Sequence, residues 1–110
     1  MLGIVMDMTP GWHIQAGKGS GDERPPYIAT EITLQLPAGL TAGTVSWPDA
    51  HTFTLGEGDF SETLAGYEGR VLVVVPVKIN ADVATGAYPV KVTVDYQACN
   101  DSNCEMPTAA

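Results

Sequence analysis

At 110 residues and 45% hydrophobic content, the chain reads as one domain, residues 1–110, large enough for a real core and too small for two. Thirteen acidic against five basic residues leave a formal charge of −8, which excludes the clustered Lys and Arg of a surface for nucleic acid or anionic lipid. Twelve Gly and eight Pro break the chain too often for long helices. The longest apolar run, Val71 to Val77, contains Pro76 and falls well short of a bilayer span, so no direct membrane insertion is expected.

In chain order, Gly3 to Met8 and Trp12 to Gln15 read as short strands. The stretch Gly17 to Pro26 (GKGSGDERPP) is a long polar loop. From Tyr27 to Leu36 the apolar residues Ile28, Ile32, Leu34 and Leu36 fall on one face, and Glu31, Thr33 and Gln35 on the other. That period of two is a strand with one wet side. Pro37-Ala-Gly39 ends it, and a shorter strand runs from Gly43 to Trp47, stopped by Pro48. Thr52 to Leu55 is a further strand, and Gly56 to Gly69 reads as a second long loop, with Phe60 and Tyr67 set among acids. Arg70 to Ile79 is Val-rich and apolar on both faces at first, as in a central strand. Pro76 cannot donate a ladder hydrogen bond, so a bulge or edge position is expected there. Ala81 to Gly86 is a turn. In the last strand, Tyr88 to Ala98, Val90, Val92, Val94 and Tyr96 oppose Lys91, Thr93, Asp95 and Gln97. Seven or so short strands with turns between them predict an all-β fold, an immunoglobulin-like antiparallel β-sandwich.

Cys99 and Cys104 are the two cysteines. Extending the alternation of the last strand places Cys99 on the face of Lys91, Thr93 and Asp95, and therefore toward solvent unless a bulge intervenes. Between the cysteines stand Asn100-Asp-Ser-Asn103, four turn formers in a row. A hairpin loop of that length sets the cysteines opposite each other, about 4.5–5.5 Å apart at Cα and within disulfide range. Loop entropy for so small a ring contributes only about 2.2 kcal/mol. A bond that forms easily and stabilises weakly is a poor staple and a plausible redox group. Asp101 and Glu105 flank the thiols, and no Lys, Arg or His precedes Cys99 until Lys91. Local charge therefore disfavours a thiolate, which suits a dithiol activated by its partner.

Several segments together carry a family resemblance: Pro10-Gly-Trp-His-Ile14, the Gly/Pro-rich loop to Pro26, Leu36-Pro-Ala-Gly39, Val45-Ser-Trp-Pro48, Tyr67-Glu-Gly-Arg70 and Val94-Asp-Tyr-Gln-Ala-Cys-Asn-Asp-Ser-Asn-Cys-Glu-Met-Pro107. The chain resembles, over nearly its whole length, the N-terminal periplasmic domain of thiol:disulfide interchange protein DsbD, the disulfide bond corrector domain family. The resemblance implies an immunoglobulin-like domain that is a fragment of a larger membrane-associated protein. Its cysteine pair would take electrons from a membrane-embedded redox domain of the same system. It would pass them to thioredoxin-fold periplasmic proteins of disulfide isomerisation or cytochrome c maturation. By the same resemblance Cys104 attacks the partner's disulfide and Cys99 resolves the mixed disulfide, with no cofactor. A cap loop shields the cysteines in this family, and the matching positions here are Phe60 with Asp59 beside it. Some members carry one more residue between the cysteines and an aromatic before the second, where this chain has Asn103.

The location implied is periplasmic. Met1-Leu-Gly-Ile-Val-Met lacks the basic region and cleavage site of a signal peptide, and that does not establish a cytoplasmic home. The alternative function is a non-catalytic sandwich module of a secreted or surface protein, with Cys99–Cys104 as a static clip. His13, in an alternating apolar segment, reads as structural, and Trp12 and Trp47 as core. Met6, Met8, His13, Met106 and the thiols are soft donors, but no compact spacing makes them a copper site, so no metal is expected. Glu57, Asp59 and Glu62 read as a solvated loop face. The sequence has no Ser-His-Asp arrangement and no phosphate loop.

Overall fold

Where polar and apolar residues alternate, one face can be buried while the other stays wet, and the backbone settles into strands. The computed structural model describes residues 1–84 and 86–110. Its strands are β1 (Leu2–Asp7), β2 (His13–Gln15), β3 (Glu31–Gln35), β4 (Leu40–Ala42), β5 (His51–Leu55), β6 (Glu62–Tyr67), β7 (Arg70–Val75), β8 (Val77–Ile79), β9 (Lys91–Tyr96), β10 (Ala98–Cys99) and β11 (Thr108–Ala109). All ladders among these strands are antiparallel. They form one four-stranded sheet in the order β10-β2-β6-β5, one three-stranded sheet β11-β9-β3, and the ribbons β1-β7 and β4-β8. The arrangement fits an immunoglobulin-like sandwich. Among the described residues there is no α-helix, and none long and apolar enough to cross a membrane.

The expected alternation holds in β3, where Ile32 and Leu34 turn inward and Glu31, Thr33 and Gln35 outward. These residues face Val94, Thr93, Val92, Asp95 and Lys91 of β9 in register. Pro76 divides the Val-rich segment into β7 and β8, and its carbonyl accepts a hydrogen bond from Gly43 N–H at 2.8 Å. The missing N–H thus ends the strand outright and allows β8 to pair with β4 instead. The strand expected over Gly43 to Trp47 shrinks to a bridge between Ser46 and Val74, while β4 forms earlier, at Leu40–Ala42. Of the turn expected over Ala81 to Gly86, Thr85 lies outside the described residues.

The largest correction concerns the second expected loop. Its latter half, Glu62–Tyr67, is β6, paired with β5 on one side and β2 on the other. Leu64, Ala65 and Tyr67 in it are almost fully buried. Because both faces are covered, the segment shows no alternation, and Gly66 disguises it further as a turn. Gly66 is required there: a side chain would run into the Ile14 carbonyl of the neighbouring strand. Leu64, Val73 and Val75 are aliphatic core residues left with 2% or less of their surface exposed, each contributing about 1.5–3 kcal/mol by leaving water.

Trp47, expected in the core, is half-buried. It lies over Gly17, stacks on Tyr67 with ring centres 6.0 Å apart, and donates its indole N–H to Lys18 O at 3.1 Å. Trp12 is also half-buried and lines, with Ile4, Met6, Ile14, Val94 and Tyr96, a cavity of about 620 Å³. Tyr67 is fully buried, and its hydroxyl accepts the Gly17 N–H at 3.0 Å. Burial of the phenol pushes its pKa up. In the polar loop, Glu23 accepts N–H groups from Gly19 at 2.9 Å and Gly21 at 2.7 Å, which hold its carboxyl below the usual range.

Candidate functional site: the Cys99–Cys104 hairpin

The last strand changes sheets as it approaches the cysteines. β9 runs between β3 and β11, whereas β10 pairs with β2 in the other sheet. Gln97 stands at the crossing, outside either strand. Its side-chain carbonyl accepts Ile28 N–H at 2.8 Å, and its amide donates to Glu105 O at 3.3 Å. Even-numbered residues keep facing the cavity through Ala98, so parity carries through the crossing as expected. The surroundings of the odd face change instead. It is exposed at Lys91 and Asp95, partly covered at Gln97, and fully buried at Cys99. The expectation that Cys99 faces solvent is therefore wrong, because strand periodicity fixes which face a residue takes and not what lies against it.

After Cys99 the chain turns back through Asn100–Asn103. The side-chain carbonyl of Asn100 accepts N–H groups from Ser102 at 2.9 Å and Asn103 at 2.7 Å, as turn-forming Asn commonly does. Backbone bonds from Asn100 N–H to Asn103 O and from Glu105 N–H to Ala98 O close the hairpin. Cys99 and Cys104 stand opposite each other and are joined in a disulfide, with Cα atoms 4.0 Å apart. The two sulfurs are not equivalent. Cys99 is fully buried, while Cys104 is only half-buried and followed by exposed Glu105 and Met106. Solvent therefore reaches part of Cys104 and none of Cys99.

On its other side Cys99 is paired in register with His13 of β2, so the two side chains share one face of the sheet. Gln15, two residues on, shares it too. Its carboxamide Nε2 donates to Cys99 Sγ at 3.2 Å, and the side chain is almost wholly buried, with its Oε1 unpartnered. His13 stacks on Phe53 with ring centres 4.1 Å apart, and its Nε2 lies 3.0 Å from a carboxylate oxygen of Glu68. Sequence reasoning missed Gln15 altogether. The available signal was a polar amide inside an otherwise buried short strand, visible only once β2 is known to be central. His13, read as structural, does pack as a core aromatic, yet it sits directly across from Cys99.

The candidate cap residues lie in a short turn, Gly58–Phe60, between β5 and β6. The loop is tied to the cysteine hairpin, because Gly56 N–H donates to Asp101 O at 2.8 Å, and Gly56 adopts the left-handed φ of 86° that glycine tolerates. Asp59 is exposed, and Phe60 is 91% exposed, so its ring stands in solvent and not against the disulfide. Asp101 and Glu105 keep the rim acidic. Arg70 and Lys18 are engaged elsewhere, with Asp7 at 2.8 Å and Glu31 at 3.6 Å. Among the described residues, no three His, Cys, Asp or Glu side chains converge as a metal site requires.

A disulfide between a buried and a partly exposed cysteine is an arrangement compatible with directed thiol–disulfide exchange. No curated protein and no solved structure matches the chain. The family model described as thiol:disulfide interchange protein DsbD, N-terminal, matches residues 1–110, the whole chain. With its disulfide hairpin and all-β fold, the chain belongs to the family of N-terminal domains of thiol:disulfide interchange protein DsbD.

Proposed function

We propose that this domain relays electrons by thiol–disulfide exchange through Cys99 and Cys104. The observation that carries the reading is the asymmetry of the pair: Cys99 fully buried on the sheet, Cys104 on the accessible arm of the hairpin. In the reduced domain the Cys104 thiolate attacks a partner's disulfide, and Cys99 then attacks Cys104 Sγ and releases the partner as a dithiol. The partners are thioredoxin-fold periplasmic proteins downstream and a membrane-embedded redox domain of the same system upstream, so the chain is one module of a larger membrane-associated protein. A disulfide that must persist between turnovers favours the oxidising periplasm as its home. Exposed Phe60 and Met106 beside an acidic rim supply apolar contacts for a small, transient interface. The turn bearing Asp59 and Phe60, tethered to the hairpin through Gly56, acts as a cap by closing over the reduced pair, since in the disulfide form the Phe60 ring stands in solvent.

The deciding measurement is the reduction potential of the pair in defined thiol–disulfide buffers. A relay is expected to fall within about −180 to −270 mV, and Cys99→Ser should then trap a partner on Cys104. A potential below about −300 mV marks a structural clip and replaces the relay with a static β-sandwich module.

A further inference from the structure

Gln15 is the buried polar side chain that touches a reacting sulfur. Cys99 lies in a fully buried position, with the acids Asp101 and Glu105 close to it in the chain and His13, itself beside Glu68, paired with it across the sheet. Burial and negative neighbours both disfavour a thiolate there. Either direction of exchange nevertheless requires Cys99 to carry a negative charge. The group placed to receive that charge is the Gln15 amide, 3.2 Å from Cys99 Sγ on the same sheet face.

We propose that Gln15 is a catalytic residue of the exchange: its side-chain N–H holds Cys99 as the leaving sulfur and stabilises the thiolate formed on it. The proposal rests on the relay reading and adds the residue that makes a buried cysteine usable. When the thiolate of an incoming dithiol attacks Cys104 Sγ, a bond forms between those two sulfurs. The Cys104–Cys99 bond breaks, and its electron pair departs on Cys99 Sγ, hydrogen-bonded by Gln15. The donor's second thiol, as thiolate, then attacks its own sulfur in the mixed disulfide and frees Cys104. Two electrons and two protons have then passed from the donor dithiol to the cysteine pair.

The unpartnered Oε1 of Gln15 gains a role in the same step. In the disulfide form it has no donor, although it is buried. Once Cys99 is a thiol, its S–H is a donor at the same place, and turning the carboxamide end over end brings Oε1 to it. The amide thus serves the thiolate with its N–H and the thiol with its carbonyl. The strand around it supplies the rigidity this needs: the Gln15 carbonyl accepts the Thr30 hydroxyl at 2.6 Å, and Ala16 N–H is bonded to Ala65 O at 3.0 Å.

The test titrates Cys99 alone, by ultraviolet thiolate absorbance in a Cys104→Ser background, with Gln15 and with Gln15→Met. Loss of a hydrogen bond to a charged group predicts a midpoint about one unit higher, or roughly tenfold less thiolate at a given pH. An unmoved midpoint in the folded variant overturns the proposal, since a purely structural Gln15 would change unfolding temperature and not the titration. Gln15→Leu, a second apolar replacement with no donor and no charge, should move the midpoint the same way, which covers the case in which Met does not fold. In the parent chain, dithiothreitol should shift the Gln15 side-chain amide resonances more than those of Gln35, and equal or absent shifts overturn it. A potential in the structural range would sink the relay alone, because the Gln15 contact is judged separately by the titration.

Discussion

The two arms of the hairpin differ in everything except the bond between them. The Cys99 arm is a strand of the four-stranded sheet, paired with β2, beyond which lies β6, and the cysteine itself is fully buried. The Cys104 arm is held by the Glu105–Ala98 backbone bond, by the Gln97 amide on Glu105 O and, further on, by the two-residue β11 ladder to β9, and Met106 between them is 83% exposed. The proposed relay would present one sulfur and guard the other, and attaching them to regions of unequal stability does so, since local opening follows local contact density. The comparison predicts that damage beneath β10 is global, while damage to the exposed arm stays local.

The largest effect should come from β6. Leu64→Ala removes a residue that is 2% exposed, with Phe53 directly opposite it. A loss of about 2–5 kcal/mol in denaturant unfolding is expected. Met106→Ala, on the other arm, should change stability by no more than about 0.5 kcal/mol. If the two losses are similar, the arms are not unequally anchored and the comparison fails.

Reducing the disulfide should cost about 2 kcal/mol, the loop entropy of a six-membered residue ring, without unfolding the domain. Dithiothreitol-treated protein should keep its far-ultraviolet spectrum and lose stability by that amount. Unfolding on reduction would mean that the hairpin is a staple of the fold, contrary to a pair that cycles.

How much of this was legible in the sequence depends on burial geometry. β3 and β9 were readable because each has one covered and one wet face, and the cysteine hairpin because Asn100 to Asn103 are turn formers whose side chains act locally. β6 was not readable: Leu64, Ala65, Gly66 and Tyr67 are buried on both faces, so no alternation remains, and the glycine imitates a loop. Burial of Cys99 was hidden for a different reason. The crossing at Gln97 moves the strand's wet face onto another sheet, a tertiary event with no local signature. Gln15 followed from neither, because its importance lies in a sulfur 84 positions away.

Tyr67 sharpens the comparison by pH. Its hydroxyl sits in the packed region, accepts Gly17 N–H and has a pKa raised by burial. The folded value therefore lies above the unfolded value of about 10. The stability this contributes is complete below about pH 10 and is lost as pH rises through the folded value. Tyr67→Phe should flatten that alkaline fall and cost about 1–2 kcal/mol at neutral pH, by leaving the Gly17 N–H without its partner. An unchanged alkaline profile would remove Tyr67 as its source.

The smallest effect belongs to Phe60. A ring that is 91% exposed has little packing to lose, so Phe60→Ala should leave the oxidised domain within about 0.5 kcal/mol of the parent. Its consequence should be confined to the reduced domain, where a cap would slow attack on Cys104. Alkylation of Cys104 is then expected to quicken a few-fold in Phe60→Ala, with Cys99 unaffected. Equal Cys104 rates in parent and variant would leave the Gly56–Asp101 bond as a tether of the hairpin alone and take shielding away from Phe60. The outcome bears on the two arms directly: a cap acting on Cys104 only would show that the accessible sulfur is guarded by a movable turn, and the buried one by the sheet itself.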